Sequence, residues 1–213
     1  MTKDEIIALI KQTCGFRLDK DTEISAMIDL AQTNLENEPI KPWFMLSEFA
    51  TINTVVGENR VRVPDDFLLE YDDGALYYIP GGDDDDVPLI KDDYDVLKKE
   101  MIRNGELTGP PQAYSLSGDY FIIVPTPDDA YLLKMKYYKQ IAKMVAGTEE
   151  NAWAKWFPLL LAAEAGKLIS PAFRDAGATQ TFNGWGGQGR AQVLVMNEAR
   201  DVANRDMQVG GPE

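Results

Sequence analysis

The chain of 213 residues contains no histidine and a single cysteine, Cys14. The first absence excludes a Ser-His-Asp triad, a histidine general base and a histidine metal ligand. The second excludes an intrachain disulfide and a cysteine-based zinc site. Cys14 ends an amphipathic segment and precedes Gly15 and Phe16. With no histidine to activate it, it reads as a small buried hydrophobe. Positive charge is also scarce: 21 Lys and Arg stand against 35 Asp and Glu, a net charge of −14. Such a surface repels phosphate backbones and anionic lipid, which argues against a nucleic-acid groove and against a membrane-surface role. No run approaches about 18 apolar residues, and no signal-peptide core follows the opening Met-Thr-Lys-Asp-Glu. The chain is therefore expected to be made in a cytoplasm.

What is present is enough to fold. Hydrophobic residues make up 45% and charged residues 26%, which suits a globular protein that closes a core without covalent staples. The N-terminal segment 4–13 carries Ile6, Ile7, Leu9 and Ile10, the stripe of a short helix that Gly15 can stop. Ile24, Met27, Ile28, Ala31 and Leu35 fall on one helical face, with Asp21 or Thr22 as the cap and Pro39 and Pro42 as the barrier to continuation. The character then changes. Glu48–Thr54 and the alternating Arg60-Val61-Arg62-Val63, joined through Gly57-Glu58-Asn59, predict a β-hairpin. Residues 67–71 and 75–79 predict two more strands around an Asp72-Asp73-Gly74 turn. A short helix is expected over 91–103, and strands over Ala113–Leu116, Tyr120–Val124 and Tyr131–Tyr138.

From Trp153 onward the pattern is helical again. Trp153 and Trp156 sit in a short turn. Pro158 suits a first helical position, and Leu159 to Ile169 is apolar nearly all round, as a core helix would be. Residues 177–190, rich in glycine, read as a long loop. A last helix is expected from Ala191 to Asn204 with Val195, Ala199 and Val202 on its inner face. The fold class is therefore α+β: a helical bundle from 1–45 and 141–205, an inserted antiparallel β-rich domain at 46–140, and a flexible C-terminal tail at 206–213.

Chemistry-bearing patterns are few. The Asp83–Asp86 run misses the spacing of a calcium loop and reads as a solvated loop tip. Gly184-Trp185-Gly186-Gly187-Gln188-Gly189-Arg190-Ala191 has a phosphate-loop look. Arg190 stands where a lysine is needed, Ala191 lacks the magnesium-holding hydroxyl, and no strand precedes it, so nucleotide binding is rejected. Trp185 either folds back onto the core or docks into a neighbour. Tyr77, Tyr78, Tyr137 and Tyr138 have no basic groove beside them and read as strand packing. A glycan hydrolase would need two acids roughly 5–10 Å apart across a cleft, which spacing along the chain does not locate.

Taken in order, several landmarks form a pattern. The helix of Ile24–Leu35 leads to Trp43-Phe44. Then come Val63-Pro64-Asp65-Asp66-Phe67, Gly118-Asp119-Tyr120 running through a strand to Pro125-Thr126-Pro127, Tyr137-Tyr138, and Asn151-Ala152-Trp153 before Pro158-Leu159-Leu160-Leu161. Over residues 20–200 the chain resembles the head-to-tail adaptor (head completion, neck or connector) proteins of tailed bacteriophages, in the group with a β-rich insert in a helical bundle. The resemblance implies a structural protein of the virion neck, not an enzyme, with no cofactor and no metal. It implies a ring of about twelve copies that joins the portal protein to the tail tube, nozzle or other neck proteins. DNA would pass through its channel without specific binding, and no membrane is involved. The enzymatic alternative is a neck-located, carboxylate-based peptidoglycan hydrolase. Candidate assembly contacts are Trp185 and Arg190 in the glycine-rich segment and Val209, Pro212 and Glu213 in the tail.

Overall fold

The computed structural model describes residues 1–15, 20–71, 74–80, 86–103 and 108–209; side chains are described except at 48–49, 100–103 and 201–209. The chain divides into two compact units, Met1–Phe44 with Ile141–Glu213, and Met45–Gln140. Helices at both ends flank a stretch of mostly antiparallel strands that is interrupted by one helix among the described residues, an α+β fold.

The first unit is helical. α1 (Lys3–Thr13) opens with a capping box: Thr2 and Glu5 each accept the other's backbone N–H. Its buried face is Ile6, Ile7 and Ile10, and Cys14 behind it is buried as a hydrophobe. α2 (Asp21–Glu36) buries Ile24, Ile28, Ala31 and Leu35, the face its periodicity prescribes. Its cap is Lys20, which makes no side-chain capping bond, so Asp21 and Thr22 lie inside the first turn instead of capping it. Below α2 the Glu36 carboxylate is buried. Its Oε1 accepts from Gln32 Nε2 (2.9 Å), the Ile141 N–H (3.1 Å) and Trp153 Nε1 (3.3 Å), tying α2 to the point where the chain re-enters the unit. Asn151 caps α4 (Ala152–Trp156), and Pro158 starts α5 (Pro158–Ile169), whose Leu160, Leu161, Ala162, Ala163, Ala165, Gly166 and Ile169 are all buried.

After a 3₁₀ turn at Ser170–Phe173, the chain enters α6 (Ala176–Val209), 34 residues long. The expected loop at 177–190 is thus the first half of a helix. Each interior glycine weakens a helix by about 1 kcal/mol relative to alanine, yet Gly189 is needed here, whereas at Gly186 a Cβ would displace only the flexible ends of Lys167 and Glu164. α6 runs antiparallel to α5, and a Cβ on Gly186 would lie 2.4 Å from Lys167 Nζ, while one on Gly189 would lie 2.7 Å from Leu160 Cβ. The approach is reciprocated: a Cβ on Gly166 of α5 would lie 2.5 Å from the Phe182 ring. Ala178, Phe182, Gly186, Gly189 and Val193 form the buried stripe of α6. The stripe expected from Val195 and Ala199 is on the other side: Val195 is 63% exposed. Helical structure continues through Val209, past the expected tail boundary at 206.

Among its described residues the second unit holds nine strands and a helix. One sheet runs β1 (Leu46–Asn53), β9 (Leu132–Lys139), β4 (Leu76–Ile79), β5 (Val87–Pro88), with β3 (Phe67–Glu70) also on β9. The other runs β2 (Arg60–Arg62), β8 (Tyr120–Val124), β7 (Ala113–Ser117), β6 (Ile90–Lys91). All pairs are antiparallel except β6 with β7. The hairpin expected between 48–54 and 60–63 does not form: β1 pairs with β9 and β2 with β8. Gly57, at φ +77°, donates its N–H to Pro127 O, so the turn hands the chain from one sheet to the other. Nor do β3 and β4 form a hairpin. Both run antiparallel to β9, one after the other along its same edge, so the chain does not reverse between them. α3 (Tyr94–Arg103) starts three residues later than expected.

β9 is the axis of its sheet because it alternates: Leu133, Met135 and Tyr137 are buried and Lys134 and Lys136 are not. They meet Val61, Tyr114, Phe121 and Ile123 of the other sheet in one core. Phe67 stacks on Tyr137 (5.5 Å) and meets Phe121 edge-on (5.9 Å), and Tyr114 accepts the Ala75 N–H at 3.1 Å.

Candidate interaction surfaces

The landmark residues come together in space, each group within its own unit. In the helical unit Trp43, Phe44, Trp153, Trp156 and Phe157 form a chain of rings, with centroids 5.1 Å apart for Trp43–Trp156 and for Phe44–Trp153. In the β unit Tyr137 Oη donates to Asp66 at 2.8 Å, and burial with this bond pushes the phenol up to about 12. Gly118, at φ +59°, makes the β7–β8 turn. These landmarks hold the fold.

Arg190 lies at the centre of a polar node on the helical unit. Its Nη1 donates to Glu164 Oε1 (2.8 Å), its Nη2 to Glu38 Oε1 (2.5 Å) and its Nε to Glu38 Oε2 (3.2 Å). Lys167 adds a second cation on Glu164 at 2.6 Å. Burial pushes the Glu164 carboxyl up, but the hydrogen bonds from Arg190 and Lys167 outweigh it and hold it below the ordinary carboxylate range. The same bonds push the Arg190 guanidinium up. Next to it, burial pushes Lys41 down; its ammonium donates to the Glu36 and Glu38 carbonyls. Arg190, expected as an assembly contact, is engaged by two carboxylates of its unit while its side chain stays 39% exposed.

Beside this node an apolar cleft opens, lined by Leu35, Ile40, Pro42, Leu160, Val193 and Leu194, with Glu38 and Arg190 also at its wall. Ile40 and Leu194 are largely exposed there. Two α6 residues not anticipated from the sequence hold the second half of that helix on the 41–43 segment. Asn197 Oδ1 accepts the Trp43 N–H and its Nδ2 donates to Lys41 O, and the Arg200 guanidinium lies 3.3 Å from the Trp43 ring centre. Their i, i+3 spacing on α6 was available, but only as a helix-surface pair without a target.

Trp185 is half-buried on α6 and meets Phe182 edge-on at 5.7 Å. Val209 is the last helical residue; Pro212 and Glu213 lie outside the described residues, as do Asp83 to Asp85. Among the described residues no group of three or more acidic or thiol side chains is placed to hold a metal ion, and no helix is long and apolar enough to cross a membrane.

A search of curated proteins finds no match to the chain. A family model described as SU10 adaptor protein matches residues 1–209. With that match spanning both units and the ordered landmarks inside them, the chain belongs to the SU10 adaptor family, in keeping with a phage head-to-tail adaptor.

Proposed function

We propose that the protein is a structural ring adaptor of the phage neck, which joins the portal protein to the tail tube or nozzle and surrounds the channel through which DNA passes. The family is of a structural adaptor type, with neck proteins as its partners in general. The observation that carries the finer reading is the match of one adaptor family over residues 1–209, across the helical and the β unit alike.

The charge supports it. A net charge of −14 on each copy makes an assembled ring strongly acidic, and an acidic wall repels DNA, so that the genome slides without adhering. Docking draws on surface that the fold leaves apolar: Ile40 and Leu194 at the cleft, Leu159 and Val195 elsewhere on the helical unit. Trp185 and the C-terminal residues Val209, Pro212 and Glu213 add to these contacts.

Mixing the purified chain with its portal protein and measuring particle mass, followed by electron microscopy, tests this. The expected result is a monomer alone and a ring of about twelve copies on the portal. Deleting residues 205–213 is expected to weaken docking without unfolding the monomer. A chain that never binds the portal, or that degrades peptidoglycan, would refute the proposal.

A further inference from the structure

Among the described residues the sheet β2-β8-β7-β6 has two free edges of opposite charge, and one of them carries an unfilled acceptor. At the β6 end, Glu70, Lys91, Asp92, Asp93, Ser115 and Leu116 line an open cleft. Glu70 comes from the other sheet, and its side chain is 7% exposed. Its Oε2 holds Lys91 Nζ at 2.6 Å, while its Oε1 is buried with no hydrogen-bond partner among the described residues. A buried carboxylate oxygen left without a donor is destabilising, and such atoms are rare in folded proteins. Asp92 and Asp93 stand exposed at the mouth of the cleft, so its outer part is acidic. A carboxylate oxygen inside an acidic mouth is matched by a cation that carries N–H donors.

At the opposite end, β2 pairs only with β8, through Arg60↔Ile122, Val61↔Phe121 and Arg62↔Tyr120. Val61 points into the core, so Arg60 and Arg62 are on the outward face. Antiparallel alternation also turns their main-chain N–H and C=O groups away from β8, toward the free edge. Arg60 is exposed and makes no ion pair among the described residues. Arg62 makes only an exposed pair with Asp65. Arginines on an edge discourage promiscuous strand pairing. The orphaned Glu70 oxygen at the other edge is what points to a partner.

We propose that the β2 edge of one copy docks against the β6 edge of the next, with Arg60 entering the cleft and donating to Glu70 Oε1 and to Asp92. A guanidinium suits this because its several donors lie in one plane and can serve both carboxylates at once. Each edge also carries apolar surface beside the charge: Ile90, 68% exposed, on β6, and Tyr120, opposite Arg62, on β8. Because the two patches lie on opposite edges of one sheet, the contact is head-to-tail. Repeated with a closing rotation, such a contact makes a ring.

The inference rests on the ring reading above, and the test separates the two. Arg60→Glu and Asp92→Lys are both exposed changes, checked for folding by circular dichroism. Each alone is expected to weaken ring formation on the portal at least tenfold. An equimolar mixture of the two is expected to restore it. The two substituted edges then meet with their charges exchanged, and the two native edges meet each other, in alternation around the ring. High salt is expected to weaken the wild-type ring. If Arg60→Glu forms rings as well as wild type does, or if the mixture gives no recovery, the edge pairing is wrong and the ring reading stands. A wild-type chain that forms no ring overturns both.

Discussion

In the helical unit the closest contacts are made by residues with no side chain, whereas in the β unit they are made by rings. α5 and α6 approach through Gly166 and Gly189, where a Cβ would collide with the Phe182 ring and with Leu160. The two sheets are instead held apart and filled by Phe67, Tyr114, Phe121 and Tyr137. The polar groups differ in the same sense. The helical unit buries Glu36 under three donors and clamps Arg190 between two carboxylates; in the β unit the Tyr137 phenol donates to Asp66 and the Tyr114 phenol accepts the Ala75 N–H. Close helix packing through glycines leaves little freedom for adjustment. A sheet core of rings tolerates more variation at its rim.

The comparison breaks most visibly if a core ring is removed from each unit. Phe121→Ala and Trp153→Ala are each expected to cost about 3–5 kcal/mol. Amide exchange should speed up first in β7 and β8 for the former and in α4 and α5 for the latter. Identical exchange maps for the two variants would mean the units do not have separate cores.

The polar clamp comes next. Arg190→Ala is expected to destabilise the helical unit by about 1.5–3 kcal/mol, the range for hydrogen bonds to charged groups. Glu164 supplies a pH signature. Its folded pKa is lowered, so its contribution is fully present above the ordinary 4.5 and is lost as pH falls through the folded value. Denaturant midpoints should therefore drop as pH falls from 4.5 through the folded value, and Glu164→Gln should flatten this part of the curve. An unchanged acid limb would remove the clamp from the account.

Glycine substitutions sharpen the contrast within α6 itself. Gly189→Ala introduces overpacking of about 1–3 kcal/mol, more than the roughly 1 kcal/mol of helix propensity gained. Gly187 meets nothing within 4 Å, so Gly187→Ala is expected to stabilise by about 1 kcal/mol. Thermal melts with the same sign for both would contradict the close approach at 189. Smallest is the cap of α1: Thr2→Ala is expected to cost about 1 kcal/mol, measured in the same melts.

Legibility followed the residue type. α2, α5 and β9 were readable because Ile, Leu, Met and Tyr mark a buried face by themselves. The first half of α6 was not, although Ala178, Phe182, Gly186, Gly189 and Val193 repeat at helical spacing. Glycine counts as a breaker until a partner helix is in place against it. The hairpin expected at 57–59 failed for a related reason. Turn residues show that the chain bends, while the identity of the paired strand depends on which apolar face is nearest. Trp43, Phe44 and Trp153 could be named as landmarks in order, but their joining into one cluster could not. Nor could the unfilled oxygen of Glu70, which shares its cleft with residues more than 20 and more than 40 positions further along the chain.

By itself, then, the sequence determined what local chemistry can determine: the absence of histidine chemistry, an acidic surface, an α+β order of helices, strands and helices, and landmarks ordered as in phage adaptors. Only the tertiary structure decided which strands pair, that 177–190 is helical, that Arg190 is used internally, and which edge of the sheet is basic and which acidic. The reason is physical: a side chain's own pattern sets its preference for burial and backbone shape, but a glycine, an arginine or a glutamate acquires its role from what packs against it.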